Sequence, residues 1–256
     1  MIVKYKIKER IGTITLNRPE KRNALSTKMV DALQDAFQEM EISSAVKVVV
    51  LQSKGDVFCA GADLKYLQDL QDKSFDENLT DSNKLRRLLK KIYKFPKPVI
   101  AKVQGHAIAG GCGLVTVCDF AFTVPEAMFG YTEVKIGFVP ALVLVFLLRK
   151  VGEARANELL LTGKLVTAKK ACDFGLINDV VSASELTDIV YNFARDLIRN
   201  NSESSMKMTK SMIKEVQEMP LDEALKFTSE INAQIRSSSD CKKGIAAFLN
   251  KEKIEW

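Results

Sequence analysis

The sequence predicts an α/β fold: strands alternating with helices at the front, closed by a helical C-terminal lobe. Three observations carry that expectation. Strand-length apolar runs recur between Val3 and Val124. A glycine cluster, Gly105-His-Ala-Ile-Ala-Gly-Gly-Cys-Gly113, joins one of those runs to an apolar helical pattern. From Ser184 onward only amphipathic helical spacing is found.

Taken in order, Val3–Ile7 and Ile11–Leu16 alternate as a hairpin turned at Glu9-Arg10. A loop, Asn17 to Ala24, leads to Ser26, a capping residue for a helix reaching about Glu41 with Met29, Leu33, Phe37 and Met40 on one side. Val46–Gln52 is continuously apolar, as for a strand covered on both faces. Phe58-Cys-Ala-Gly-Ala-Asp63 is a small-residue turn entering a helix, and Ser74–Ser82 is polar and reads as a mobile loop. A basic helix, Lys84–Lys94, precedes the strand Pro98–Gln104 and the glycine corner. A strand over Asp119–Val124 follows. The run Val139–Leu148, broken by Pro140, reads as a buried helix, and Leu176–Val181 interrupts the helices beyond it. Four amphipathic helices are expected near Ser184–Arg199, Ser204–Glu218, Leu221–Ser237 and Asp240–Lys251.

With 256 residues and 46% hydrophobic content, the chain can bury a substantial core. No apolar run reaches the length needed to cross a bilayer. The N-terminal residues read as a strand and not a signal peptide, and five cysteines without a CxxC pair fit a reducing compartment. A cytoplasmic protein is expected. The single histidine, His106, cannot build a His-rich metal site, and the cysteines lack zinc spacing. Phosphate-loop, dinucleotide and nucleophile-elbow motifs are missing, which argues against nucleotide hydrolysis, dinucleotide redox and triad hydrolysis. The net charge is +6. Lys84, Arg87, Lys91 and Lys94 mark one face of the basic helix, read first as a solvated face. A nucleic-acid stripe or an attractor for phosphorylated small molecules are the sharper alternatives, and no aromatic stacking platforms accompany these cations.

The glycine corner carries the chemistry. Side-chain-free backbone where a strand meets a helix exposes amide N–H groups, and the helix dipole adds positive potential there. Such a corner can hold a developing oxyanion. Glu133, in Phe129-Gly-Tyr-Thr-Glu133, lies a short strand and turn further on and can carry a proton. A place for negative charge beside a carboxylate points to enolate chemistry. His106 is read as a packed, hydrogen-bonded neighbour of the corner, and Cys59 and Cys112 as small packing residues. Asp63 is read as a helix cap, Glu126 as a loop residue and Glu153 as a helix-start residue.

These residues resemble the crotonase superfamily, the enoyl-CoA hydratase/isomerase family. The similarity runs from Ile11-Gly-Thr-Ile-Thr-Leu-Asn-Arg-Pro19 through Phe58-Cys-Ala-Gly-Ala-Asp-Leu64, Lys97-Pro-Val-Ile-Ala101 and the glycine corner. It continues through Cys118-Asp119, Phe129-Gly130, Gly137, Leu161-Thr-Gly163, Ala168 and Gly175-Leu-Ile-Asn178 to Gly244-Ile-Ala-Ala-Phe248. The resemblance implies a crotonase-like spiral of ββα units over residues 1–200 and a helical trimerisation lobe over 201–256. It implies an acyl-CoA thioester substrate with no separate cofactor and no metal, and a homotrimer or dimer of trimers. By motif position the N–H groups of Ala62 and Gly110 would form the oxyanion hole, with Glu133 as acid/base. Lys21, Arg22, Ala24, Ala60, Ala62, Asp63, Leu64, Lys65 and Gly110 would contact the CoA portion.

The chain departs from the hydratase pattern in two places. Hydratases of this family use two glutamates, and Gly113 occupies the first of those positions, leaving Glu133 alone. Hydration divides its work between paired carboxylates. Moving a double bond between positions 3 and 2 needs one base that takes a proton from C2 and returns it at C4. Isomerisation is therefore expected first, with hydration of a short-chain or 3-methylglutaconyl-type substrate as the alternative. An acyl-CoA or RNA binder without catalysis is the weaker alternative. Second, Ala141-Leu-Val-Leu-Val-Phe146 replaces the usual glycine-rich segment after Pro140, which reads as a drier acyl pocket that would raise the Glu133 pKa.

Overall fold

A computed structural model describes residues 1–256. The chain opens as an antiparallel hairpin of β1 (Val3–Lys8) and β2 (Ile11–Leu16). Glu9 and Arg10 make its turn at φ 53° and 61°. Two left-handed residues match the twist of the flanking strands, which fixes the register although neither residue is glycine. Ser26 caps α1 (Thr27–Ile42) by accepting the Met29 N–H, and Met29, Leu33, Phe37 and Met40 are buried as their spacing predicts.

From there the chain alternates between two sheets. β3 (Val48–Ser53), β5 (Val99–Val103), β7 (Phe120–Thr123) and β10 (Asp179–Val180) extend the first sheet in parallel, in the order β1-β2-β3-β5-β7-β10. β4 (Val57–Cys59), β6 (His106–Ile108) and β8 (Met128–Gly130) run parallel to one another in a second sheet, closed by antiparallel β9 (Val166–Thr167). Three successive units therefore place one strand in each sheet before turning into helices. The helices are α2 (Leu64–Leu70) with α3 (Phe75–Tyr93), then α4 (Gly110–Thr116), then α5 (Ala141–Val151). This is the expected spiral of ββα units.

Helices α6 (Glu153–Thr162), α7 (Ala168–Asp173) and α8 (Leu186–Asn200) complete the core. Leu186, Val190, Ala194 and Ile198 bury one stripe of α8, which packs on β3, β5 and β7. The hydrophobic core runs from Val3 to Ile198. Beyond it lie α9 (Glu203–Glu215), α10 (Leu221–Ile235) and α11 (Ser239–Leu249), where Ser202, Lys210 and Ala247 are the only buried residues after Asn201. Leu221, Phe248 and Leu249 there are more than 70% exposed.

Three expectations need correction. Ser74–Ser82 is not a loop but the first half of α3. Ser74 and Glu77 form a capping box, each side chain bonding the other residue's backbone N–H, and that signature outweighs the polar composition. The run Val139–Leu148 is not a buried helix. Pro140 delays its start to Ala141, and only Val143, Leu147 and Val151 are buried, while Val139 and Val145 are exposed. The glycine corner is not fed directly by the strand Pro98–Gln104. A turn at Gln104-Gly105 carries the chain into β6, and β6 feeds α4.

Buried lysines act as helix stoppers. Lys97 Nζ donates to Met40 O and Ser43 O at the end of α1, both at 2.7 Å. Lys47 donates to Ile198 O and Asn201 O at the end of α8, both at 2.7 Å. Lys150 donates to Thr116 O and Cys118 O beyond α4. Each ammonium thus meets carbonyls left without intrahelical donors, at the negative end of a helix dipole. Lys210 instead pairs with Asp119 at 2.5 Å and donates to Lys97 O, linking α9 to the core. Asp119 also accepts the Val99 N–H. Removing the carboxylate leaves a buried cation unpaired, so Asp119→Ala is expected to cost about 3–5 kcal/mol in denaturant unfolding, more than Asp119→Asn.

Candidate active site

The three residues singled out for catalysis lie just past the ends of three neighbouring parallel strands. Ala62 follows β4, Gly110 follows β6, and Glu133 follows β8. The ladder sets them in line, with Cys59 beside Ala107 and Ile108 beside Gly130. Carboxyl ends of parallel strands, where loops turn into helices, are the usual place for a ligand site in such sheets.

The amides of Ala62 and Gly110 donate to no backbone or side-chain acceptor. Three amides around them are engaged. The Ala60 N–H bonds Arg22 O, the Asp63 N–H bonds Leu25 O, and the Ala109 N–H bonds Gly130 O at 2.7 Å. Close approach depends on two glycines. Gly61 sits at φ 89°, and a Cβ there would lie 2.7 Å from Ala109 Cβ and 3.3 Å from Gly110 N. A Cβ on Gly111 would lie 2.2 Å from Cys59 O. Ala109 takes φ 50° and ψ −125°, an unfavourable conformation for a non-glycine residue, immediately before Gly110. Two unpartnered N–H groups are thereby held side by side, one of them in the first residue of α4.

Glu133 opens a short turn of helix, Glu133–Ile136. Its Oε2 is buried without a hydrogen-bond partner. Burial raises its pKa above the usual value of 4.5, opposed by its own backbone N–H. It stands three residues beyond β8, the strand that pairs with β6 ahead of α4. Tyr131 is wholly buried, its hydroxyl 2.7 Å from Thr116 Oγ1. A desolvated acid without a partner and two unengaged amides, set past the ends of adjacent strands, have the composition of a site for proton transfer at a carbon made acidic by a neighbouring carbonyl.

Residues 6–256 match the family model described as enoyl-CoA hydratase/isomerase. The chain belongs to this family. A short-chain-enoyl-CoA hydratase of Clostridium acetobutylicum is 32% identical across 96% of this chain and 94% of its own. A mitochondrial enoyl-CoA hydratase of Pongo abelii is 34% identical across 96% of this chain and 83% of its own. The crystal structure of a Mycobacterium smegmatis enoyl-CoA hydratase superposes with a TM-score of 0.95 at 32% identity, covering 100% of this chain and 99% of that one. The protein is an enzyme of the crotonase family, with that family's fold.

The positions expected to contact CoA gather around the Ala62 amide. The loop bearing Lys21, Arg22 and Ala24 is stitched to the turn Ala60–Asp63 by the Arg22 and Leu25 bonds above and by Leu25 N–H to Gly61 O at 2.7 Å. Lys21, Arg22, Leu64 and Lys65 are exposed, and Ala24 is buried. Asp63 accepts the Tyr66 N–H as the cap of α2. Burial works against its charge, but the Arg18 guanidinium, 3.0 Å away, and the amides outweigh it and hold the carboxyl below its ordinary pKa. Sequence reasoning missed Arg18. It also missed Asn23, buried at φ 53°, whose amide bonds Lys54 O and Val57 O while its carbonyl accepts the Arg18 N–H. An asparagine in a polar loop, tolerant of left-handed backbone, was the available signal.

His106 is hydrogen-bonded as expected, its Nδ1 accepting the Met128 N–H, yet it is exposed and not packed into the corner. Glu153 begins α6, and Glu126 lies in an exposed turn. A cavity of about 960 Å³ opens elsewhere, between the core and the C-terminal helices, and includes none of Ala62, Gly110 and Glu133. Its one core carboxylate, Asp119, is already committed to Lys210. The candidate site therefore rests on the free amides and the unpartnered acid, not on cavity size.

Two outcomes are expected. Gly111→Ala forces Cys59 O away from α4, and because the obstacle is backbone it is expected to destabilise the fold by at least about 2–3 kcal/mol by chemical denaturation. Burial pushes the thiols of Cys59, Cys112 and Cys118 up to about 12. Titration with a thiol reagent at pH 8 should therefore register only the partly exposed Cys172 and Cys241 in native protein and all five after denaturation.

Proposed function

We propose that this enzyme moves a double bond of an enoyl-CoA thioester between positions 3 and 2. The observation that carries the proposal is the buried, unpartnered Oε2 of Glu133 beside a carboxylate-free α4. The substrate carbonyl oxygen accepts the Ala62 and Gly110 N–H groups. Glu133 takes a proton from C2, the resulting dienolate is held by the two amides, and the same proton returns at C4. Both amides bind the developing anion better than the neutral carbonyl, so they lower the barrier instead of merely tightening binding. The cycle is redox-neutral and consumes nothing but substrate, so CoA enters only as part of the thioester.

Hydration is the second reading, favoured by the names of the relatives, which are hydratases. It would require an acid besides Glu133. The RNA-binding alternative is disfavoured by the basic helix itself, because Lys84 pairs with Asp31 at 2.9 Å and Lys91 with Glu41 at 3.1 Å. A homotrimer or dimer of trimers is part of the proposal, supported by the exposed Leu221, Phe248 and Leu249. No helix is long and apolar enough to cross a membrane. A cytoplasmic location is part of the proposal, supported by five cysteines without a CxxC pair.

The test compares 3-hexenoyl-CoA with crotonyl-CoA. Isomerisation should dominate, and Glu133→Gln should reduce its kcat by about 10²–10⁴-fold without loss of fold. The base must be ionised, so kcat/KM should fall as pH drops through a pKa above 4.5, and Glu133→Gln should abolish that limb. Rapid hydration of crotonyl-CoA by the wild-type enzyme would refute the single-carboxylate reading.

A further inference from the structure

We infer that Val143 determines which reaction this site performs, by filling the space that a side chain at position 113 would need. Gly113 lies one turn into α4, its N–H donating to Ala109 O at 3.0 Å, and so shares a helix face with Gly110. A Cβ built on Gly113 would stand 2.3 Å from Val143 Cγ1 and 3.3 Å from Val143 Cβ. The first atom of any side chain is therefore already excluded, and a carboxylate more so.

Val143 cannot swing aside. It is β-branched and helical, which leaves essentially one χ1 rotamer. It also belongs to the buried stripe Val143, Leu147 and Val151 that seats α5 on α4. Its methyl groups offer a water molecule no hydrogen-bond partner, and a buried water needs two or more. The missing second carboxylate is thus a filled volume and not merely a different residue. α5 follows directly on the segment that begins with Glu133, so one stretch of chain carries both the proton carrier and the plug. The chemical meaning of the pair rests on the single-carboxylate reading, whereas its packing does not.

The test has two arms. The packing arm measures Tm for Gly113→Ala in the wild-type and Val143→Ala backgrounds. Gly113→Ala should lower Tm by roughly 2–10 °C in the first. In the second it should leave Tm unchanged or raise it, since alanine is the better helix residue. Equal shifts in both backgrounds would overturn the inference. The catalytic arm compares G113E, V143G and the double variant for hydration of crotonyl-CoA, in which the hydroxyl of water adds to C3 and a proton to C2. The double variant should hydrate at least about tenfold faster than the wild type and either single variant. A folded double variant with no gain, or G113E alone matching it, would overturn the assignment of reaction control to Val143. If the wild type already hydrates faster than it isomerises, the proposed function fails, and with it the catalytic half of this inference. The Tm cycle, which uses no substrate, still decides the packing half.

Discussion

The contact between the first turn of α4 and the carbonyl of Cys59 is the constraint on which the site depends. Because Gly111 carries no side chain, α4 can begin almost on top of β4, and its opening amide comes level with the turn that follows that strand. Move the helix outward by one methyl radius and Gly110 would no longer stand beside Gly61. The N–H groups on the two turns would then stand farther apart. A donor pair aimed at one point is useful only at that spacing, since hydrogen bonds weaken steeply with distance and angle. The left-handed Ala109 is consistent with a corner held by its surroundings against local preference.

The second sheet matters more to chemistry than its size suggests. Its strands are three residues or fewer, yet they carry the three candidate residues forward in register. The first sheet supplies the rigidity, through β3 and β5 buried on both sides. An unpartnered acid such as Glu133 works against stability, because a buried polar atom without a partner forfeits its hydration. A core running from Val3 to Ile198 offsets that loss comfortably. The same balance appears in the thiols. Cys59 is tied to Asn23 O and Cys112 lies wholly inside, so neither competes with the carboxylate for a proton near neutral pH.

Much of this was legible in the residues. Hydrophobic spacing located α1 to within a residue at each end, because Ser26 and the stripe Met29, Leu33, Phe37 and Met40 agree. Motif order gave the family and, through it, the proposal for Ala62, Gly110 and Glu133. Periodicity failed where a local signal opposed composition, as in the polar first half of α3, nucleated by a capping box. It failed again at β6, too short to alternate visibly. Burial was misjudged in α5 because apolar character marks what can be buried and not what is. Long-range partners such as Arg18 with Asp63, or Gly113 with Val143, leave no trace in spacing, since the chain separating them is not constrained by either residue.

The lysine stoppers bear on the order in which the chain can assemble. Lys47 reaches carbonyls 151 and 154 residues downstream, and Lys210 closes on Asp119 from 91 residues away. On a ribosome, the ammonium of Lys47 must therefore wait in water until residue 201 has emerged, although β3 and both its neighbours, β2 and β5, are complete in sequence long before. Until then that cation lacks its two carbonyl partners and keeps its hydration. The final docking of α8 and α9 is what extinguishes it, making the C-terminal helices a latch on the nascent core rather than an ornament to it.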